Sequence, residues 1–273
     1  MSRKKQVRMG PTELTEGVWW VGNGGWGGTR RLSEPGDGNV FLIDGGSELA
    51  LVDTGLATKN PRILANVAAA GLDPGRITAI FLTHAHCDHA GGAAWLRAKT
   101  RARIFAGGVT AKAFRTGEKL LIGGLRPFEK FSFRRPAADR ILKDGEEVHV
   151  GSLRMKMLCT PGHTIDSCCY FVRIGGRRVL FSGDTVVGNQ PRPDLRRIFR
   201  GMLGWIDGHW SAPFSTYIAS LERLLALRPD IMLTGHGLPN EAVSAADAMR
   251  VGIRKLGKIM NDPDLFIMFP FER

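Results

Sequence analysis

Thr83-His84-Ala85-His86-Cys87-Asp88-His89 follows directly on the apolar run 77–82. That run predicts a strand buried on both faces. Three imidazoles and a carboxylate then fall within six residues, although the chain has only seven histidines. A regular strand would send neighbouring side chains to opposite faces, whereas a loop at a strand end can turn them toward one point. Imidazole nitrogen and carboxylate oxygen suit borderline divalent cations, zinc above all, with iron or manganese also accepted by such donors.

The same device recurs further along the chain. His163 lies in Thr160-Pro161-Gly162-His163-Thr164, after a strand predicted to end near Cys159. Asp184 lies in Ser182-Gly183-Asp184-Thr185, and His236 in Thr234-Gly235-His236-Gly237. Each is a strand, then a glycine that lets the backbone bend, then a ligand-type side chain.

Around these motifs, strand patterns fall at 17–21, 39–43, 49–53, 103–106, 147–150, 153–158, 168–174, 178–181 and 231–233. Turn residues predict hairpins joining 39–43 to 49–53 and 168–174 to 178–181. Helical spacing covers 61–70, a stretch from near Gly91 through Leu96, 215–227 and 240–259. Residues 107–140 carry no clear pattern; basic residues and phenylalanines are interleaved there. The Gly-rich segment 22–28 reads as a mobile flap or an ordinary surface loop, and Trp26 within it is a candidate cap over a substrate. Strands alternating with helices predict an α/β layered fold. One domain over 17–273, preceded by a basic segment 1–16, is the simplest organisation.

The order His-x-His-x-Asp-His, Pro-Gly-His, Gly-Asp-Thr, Gly-His-Gly resembles the metallo-β-lactamase superfamily over roughly residues 17–240. Val52-Asp53-Thr54-Gly55 is similar to that family's early structural Asp turn. The resemblance implies a four-layer αββα sandwich with two divalent metal ions at one edge of the sheets. It implies that His84, His86 and His163 hold the first ion, that Asp88, His89 and His236 hold the second, and that Asp184 bridges them. Asp53 would support the site without ligating. Two cations about 3.5–4 Å apart can share a water and lower its pKa toward neutrality, giving a hydroxide that attacks a carbonyl or phosphorus. Asp88 would orient that nucleophile. Cys87 reads as a residue behind the ligands, His149 as a structural residue in an alternating strand, and His209 as a candidate for facing substrate. Trp205 and Trp210 are candidates for the pocket wall, with core packing as the alternative.

The substrate is less constrained, because one fold hosts many chemistries. The Asp184 motif continues as Thr185-Val186-Val187, without the nearby Tyr that many acyl-homoserine lactonases carry. About 37 residues follow His236, where hydroxyacylglutathione hydrolases typically place a helical glutathione-binding domain. A small ester, thioester, lactone or lactam is the expected substrate. The formal net charge of +12 favours anionic partners and keeps a phosphodiesterase or ribonuclease as the alternative, unless the surface is merely basic. A non-catalytic binding protein retaining the fold would be expected to have lost ligands, and all seven are present. The four cysteines do not form a secreted disulfide framework, and no signal peptide or membrane-length apolar run is visible. A cytoplasmic address and no membrane partner are therefore expected.

Overall fold

Period-two alternation along the strands sorts the apolar side chains into separate cores. In β3 (Val40–Asp44), Phe41 and Ile43 enter one buried cluster, while Val40 and Leu42 enter another. The computed structural model describes residues 10–25, 29, 31–118, 133–188 and 212–261. Among these residues the first sheet has seven strands in sequence order. They are β1 (Thr12–Thr15), β2 (Val18–Gly22), β3, β4 (Leu49–Val52), β5 (Ile77–Phe81), β6 (Arg103–Gly107) and β7 (Arg140–Leu142). The pairings run antiparallel as far as β4 and parallel from there to β7.

The second sheet has six strands: β8 (Glu147–Val150), β9 (Leu153–Cys159), β10 (Cys168–Ile174), β11 (Arg177–Gly183), β12 (Ile231–Thr234) and β13 (Asn240–Glu241). Only the β11–β12 pair is parallel. Both predicted hairpins are present.

The inner faces of the two sheets pack against each other. Phe41 meets Phe181 across the gap with ring centroids 5.6 Å apart, and Phe81 meets Tyr170 at 5.1 Å. Such tilted aromatic pairs add roughly 0.5–1.5 kcal/mol beyond their burial. The outer face of the first sheet is covered by α1 (Pro61–Ala69), α3 (Ala93–Thr100) and α4 (Gly108–Thr116), through Ile63, Val67, Leu96 and Phe114. The outer face of the second is covered by α5 (Phe214–Ala226) and α6 (Ala242–Asn261), through Leu221, Leu224, Met249 and Leu256. The layers are therefore helix, sheet, sheet, helix, the order the family resemblance implies.

Four local differences from the sequence reading have physical causes. The strand β1 lies inside the 1–16 segment set apart from the domain. It pairs with β2 through Thr12↔Trp20, so the sheet begins before residue 17. One helix, α4, falls in the patternless stretch 107–140, and β7 begins at its end. The helix opens on Gly108 and carries Thr110, Lys112, Arg115 and Thr116, and β7 is only three residues long with Arg140 and Ile141 exposed, so neither shows a clear apolar period. A single-turn α2 (Cys87–Ala90), carrying part of the donor motif, precedes the helix expected from near Gly91, which is α3. The stretch 240–259 opens as β13 before turning helical.

Candidate metal centre

Every donor-type side chain predicted from sequence sits just beyond the C-terminal end of a strand: 84–89 after β5, His163 after β9, Asp184 after β11 and His236 after β12. These ends lie together because the two sheets stack with their strand termini at one edge. The hydroxyl of Tyr170, from β10, donates to the Leu82 carbonyl at 2.9 Å, and Cys168 N donates to the Thr83 carbonyl at 2.9 Å. The second sheet thereby holds the base of the loop that leaves the first. Two glycines are required by close approach. A Cβ on Gly235 would lie 2.1 Å from Asp184 Oδ1. Gly183 combines φ +49° with Thr83 Oγ1 at 2.7 Å from where its Cβ would stand.

The donor atoms form two groups, each with all members within 4.8 Å of one another. The first comprises His84, His86, His163 and Asp184; the second comprises Asp88, His89 and His236. All seven residues are buried. In the first group His86 Nδ1 and His163 Nε2 face each other at 3.1 Å. In the second, His236 Nε2 lies 3.1 Å from Asp88 Oδ2 and 3.4 Å from His89 Nε2. Asp184 stands between the groups: its Oδ2 is 3.6 Å from His163 Nε2 and 3.2 Å from His236 Nε2, and its Oδ1 is 3.4 Å from His89 Nε2. The structure thus brings together the complete set of seven.

The local fields differ between the groups. Burial, reinforced by the neighbouring imidazoles, holds His84 well below the usual histidine range and His86 at about 3. Burial also opposes charge on His236, but Asp184 and Asp88 outweigh it and raise its pKa to about 9. His89 is raised well above its ordinary value in the same way, by Asp184, Asp88 and Asp53 acting against burial. Burial disfavours the Asp88 carboxylate, yet His89 and His236 hold it at about 2. Asp184 is likewise held well below the carboxylate range, against burial, by His236 and His89.

The arrangement fits divalent cations on its own donor chemistry. Thr83 Oγ1 donates to Asp53 Oδ2 at 2.8 Å and so accepts from His84 Nδ1 at 3.0 Å. That leaves His84 Nε2 buried and, among the described residues, without a hydrogen-bond partner; Asp184 Oδ1 likewise has none among them. Buried polar atoms are rarely left so, unless a cation or another ligand completes them. Asp53 also accepts from His89 Nδ1 at 2.8 Å, which turns Nε2 toward the second group. A carboxylate behind a ligating imidazole is the usual way of fixing ring orientation. Asp53 itself sits at φ +61°, a conformation few side-chain-bearing residues adopt.

Other residues singled out from sequence fall elsewhere. His149 is exposed on β8, away from the donor groups. Cys87 is buried on α2, and burial, then the adjacent Asp88, pushes its thiol pKa up. Trp26, Trp205, His209 and Trp210 lie outside the described residues.

Three supporting residues were not legible from sequence. Asp37 accepts from Ser33 Oγ, Asn60 Nδ2 and the amides of Glu34, Leu56 and Ala57. Asp166 accepts from Ala85 N, between the two motif histidines, and from Thr110 Oγ1. Asn39 reaches the carbonyls of Thr234 and Gly237. Each is a lone polar residue in a loop, and the one available signal was an Asp or Asn beside glycine or a strand.

Residues 33–236 match the family model of the metallo-β-lactamase superfamily. The chain belongs to that superfamily of metallo-hydrolases. Among curated relatives, it is 30% identical over 207 residues to a hydroxyacylglutathione hydrolase of Acidiphilium cryptum, covering 76% of this chain and 67% of that one. It is 26% identical over 200 residues to an atrochrysone carboxyl ACP thioesterase of Aspergillus fumigatus, covering 73% and 50%. The chain spans about half the length of the curated relatives it matches, from 36% of one to 71% of another. Among solved structures it superposes on LRA-12, a class B3 di-zinc metallo-β-lactamase from an Alaskan soil metagenome. The TM-score is 0.66 at 21% identity, covering 92% of this chain and 93% of that one, which establishes the fold.

Proposed function

We propose that this superfamily member is a dinuclear metal hydrolase of a small carbonyl substrate, a thioester foremost, with esters, lactones and lactams in the same class. The observation that carries this reading is the pair of buried donor groups sharing Asp184. His84, His86 and His163 would hold one ion, Asp88, His89 and His236 the other, and Asp184 both. These residues would suit two divalent cations, zinc by donor chemistry and by likeness to the di-zinc fold relative, and such ions would supply Lewis acidity toward water and a carbonyl.

The chain's own residues do the rest. Asp88, ionised at neutral pH, accepts a hydrogen bond from the attacking water and orients its lone pair. Asp53 and Thr83 fix the rings of His89 and His84. Burial of all seven donors excludes bulk water from behind the site, which strengthens every electrostatic contact in it. A thioester suits this equipment because its leaving thiolate, with a pKa near 8.5 for an ordinary thiol, departs without a dedicated acid. The names of the relatives, a thioesterase and a hydroxyacylglutathione hydrolase, point the same way.

Metal content of the purified protein tests the class, and turnover of a thioester, lactone, β-lactam and phosphodiester panel in the same sample ranks the substrates. About two ions per chain with chelator-sensitive thioester cleavage is the expected result. A protein that stays inactive and metal-free after reconstitution removes the mechanism. The net charge of +12 favours phosphodiester cleavage as a second reading. RNA affinity that falls steeply with added salt, together with RNA cleavage, would promote it over the first.

A further inference from the structure

Of the seven donors, His236 is the one with a glycine on each side. It sits in Gly235-His236-Gly237, and Gly237 takes φ +80°. Two flanking glycines give this loop more freedom than any side-chain-bearing pair would. On one side Gly235 N donates to the Gly183 carbonyl at 2.8 Å, and the His236 carbonyl accepts from Gly188 N at 2.8 Å and from Thr234 Oγ1 at 2.9 Å. On the other side the loop is gripped by one buried residue, Asn39, just ahead of β3. The backbone amide of Asn39 donates to the Gly235 carbonyl at 2.7 Å. Its side-chain Nδ2 donates to the carbonyls of Thr234 at 2.7 Å and Gly237 at 2.9 Å. Three hydrogen bonds from a single residue thus grip the chain on both sides of His236, across nearly 200 residues of sequence.

The orientation of the Asn39 amide is itself fixed. Its Oδ1 accepts from Trp20 Nε1 at 3.1 Å and from Asn23 Nδ2 at 2.6 Å. Both donors and both lone pairs of the amide are then used, and a flip would set its oxygen against two carbonyls. Asn23 continues the chain of contacts: its Oδ1 accepts from Gly25 N at 2.6 Å and Thr29 Oγ1 at 2.9 Å. Its carbonyl accepts from the amides of Leu32 and Ser33.

We infer that Asn39 is a positioning residue for the second cation: it holds the His236 loop in register with Asp88 and His89, and Asn23 braces it from the 23–33 segment. The inference rests on the reading of the seven donors as a two-ion site. Asn39 touches no donor atom, and its effect passes through the backbone of the loop.

The test is a stepwise zinc titration of the full chain against a chromophoric chelator, for wild type, Asn39→Ala, Asn39→Asp and Asn23→Ala. The thermal midpoint of each metal-free protein is read alongside. Asn39→Ala removes the two side-chain donors, and Asn39→Asp keeps the shape but turns an acceptor on the carbonyls. Both should weaken the second binding step about 10- to 100-fold, the range seen when residues behind ligands are removed. The first step should stay within about threefold. Asn23→Ala, which leaves both donors in place, should weaken the second step by about 2- to 10-fold, the worth of one neutral hydrogen bond.

Equal weakening of both steps, or a second step that does not move while the wild type takes up two ions, overturns the role of Asn39. So does a second step that weakens only in proportion to a lowered midpoint. A wild type that binds fewer than two ions overturns the two-ion reading first, and the Asn39 inference with it. Should Asn39→Asp fail to fold, Asn39→Ala and Asn23→Ala decide the matter between them.

Discussion

The two donor groups share one carboxylate and are otherwise built on opposite lines. The first gathers three imidazoles with Asp184, and burial keeps its motif histidines neutral. The second places His89 and His236 beside Asp88 and Asp184, so imidazolium and carboxylate offset one another. The first group therefore presents His84 Nε2 without a hydrogen-bond partner among the described residues, while the second is held partly by its own ion pairs. They also differ in how their loops are fixed. His84 and His86 are held on a strand end by Thr83 and by the Asp166 contact to Ala85, whereas the loop of His236 is held between Asn39 on one side and Gly183 and Gly188 on the other.

The sharpest way to break this comparison is at the shared residue. Asp184→Ala should remove both ions, because the Asp184 carboxylate faces donors of both groups. Turnover should drop by more than the roughly 10- to 100-fold typical of residues behind the ligands. Elemental analysis and a turnover assay on one preparation check it. Full metal content with full activity would show that the groups do not meet at Asp184. His86→Ala and His236→Ala then separate the groups. Each should leave about one ion per chain, and loss of both ions from either variant would mean that the sites cannot fill independently.

A smaller effect is expected one layer out. Asp53→Ala deletes the acceptor for His89 Nδ1 and for Thr83. It should weaken the second binding step about 10- to 100-fold, with less effect on the first. Asp166→Ala is the mirror experiment. Its carboxylate accepts from Ala85 N at 2.8 Å and Thr110 Oγ1 at 2.9 Å, both buried. Leaving those donors unpaired costs about 1–3 kcal/mol each, read as a lower unfolding free energy in denaturant. Any loss of metal should appear in the first step. Weakening of the second step instead would contradict the division of loops between the groups.

How far the site was legible follows from the same physics. The seven donors were readable because four crowd into six residues after one strand and the other three each follow a strand and a glycine, and burial then gathered them. The layered core was readable because Phe41, Ile43, Val40 and Leu42 alternate, and because Leu221 and Leu224 keep helical spacing. Asn39, Asp37 and Asp166 were not readable, since their worth lies in partners as far as 198 positions away and a lone polar loop residue has no period. The strand β1 was hidden by the basic residues ahead of it, which drew attention to charge and away from the Thr12–Thr15 pairing.

The smallest expected effect tests where the ligand list stops. Cys87 sits inside the motif between His86 and Asp88, at 1% exposure, and a thiolate there would be a strong ligand for zinc. Burial and the negative Asp88 instead hold the thiol in its neutral form, and the cysteine belongs to neither donor group. Its work on this view is packing on the single turn that carries Asp88 and His89. Cys87→Ala removes about one buried methylene's worth of apolar contact, so about 1 kcal/mol of stability should go. Two ions per chain and activity within about twofold of wild type should remain. A variant that kept its fold but lost one ion would make sulfur a ligand. The contrast between an imidazole-rich first group and a carboxylate-rich second would then have to be redrawn.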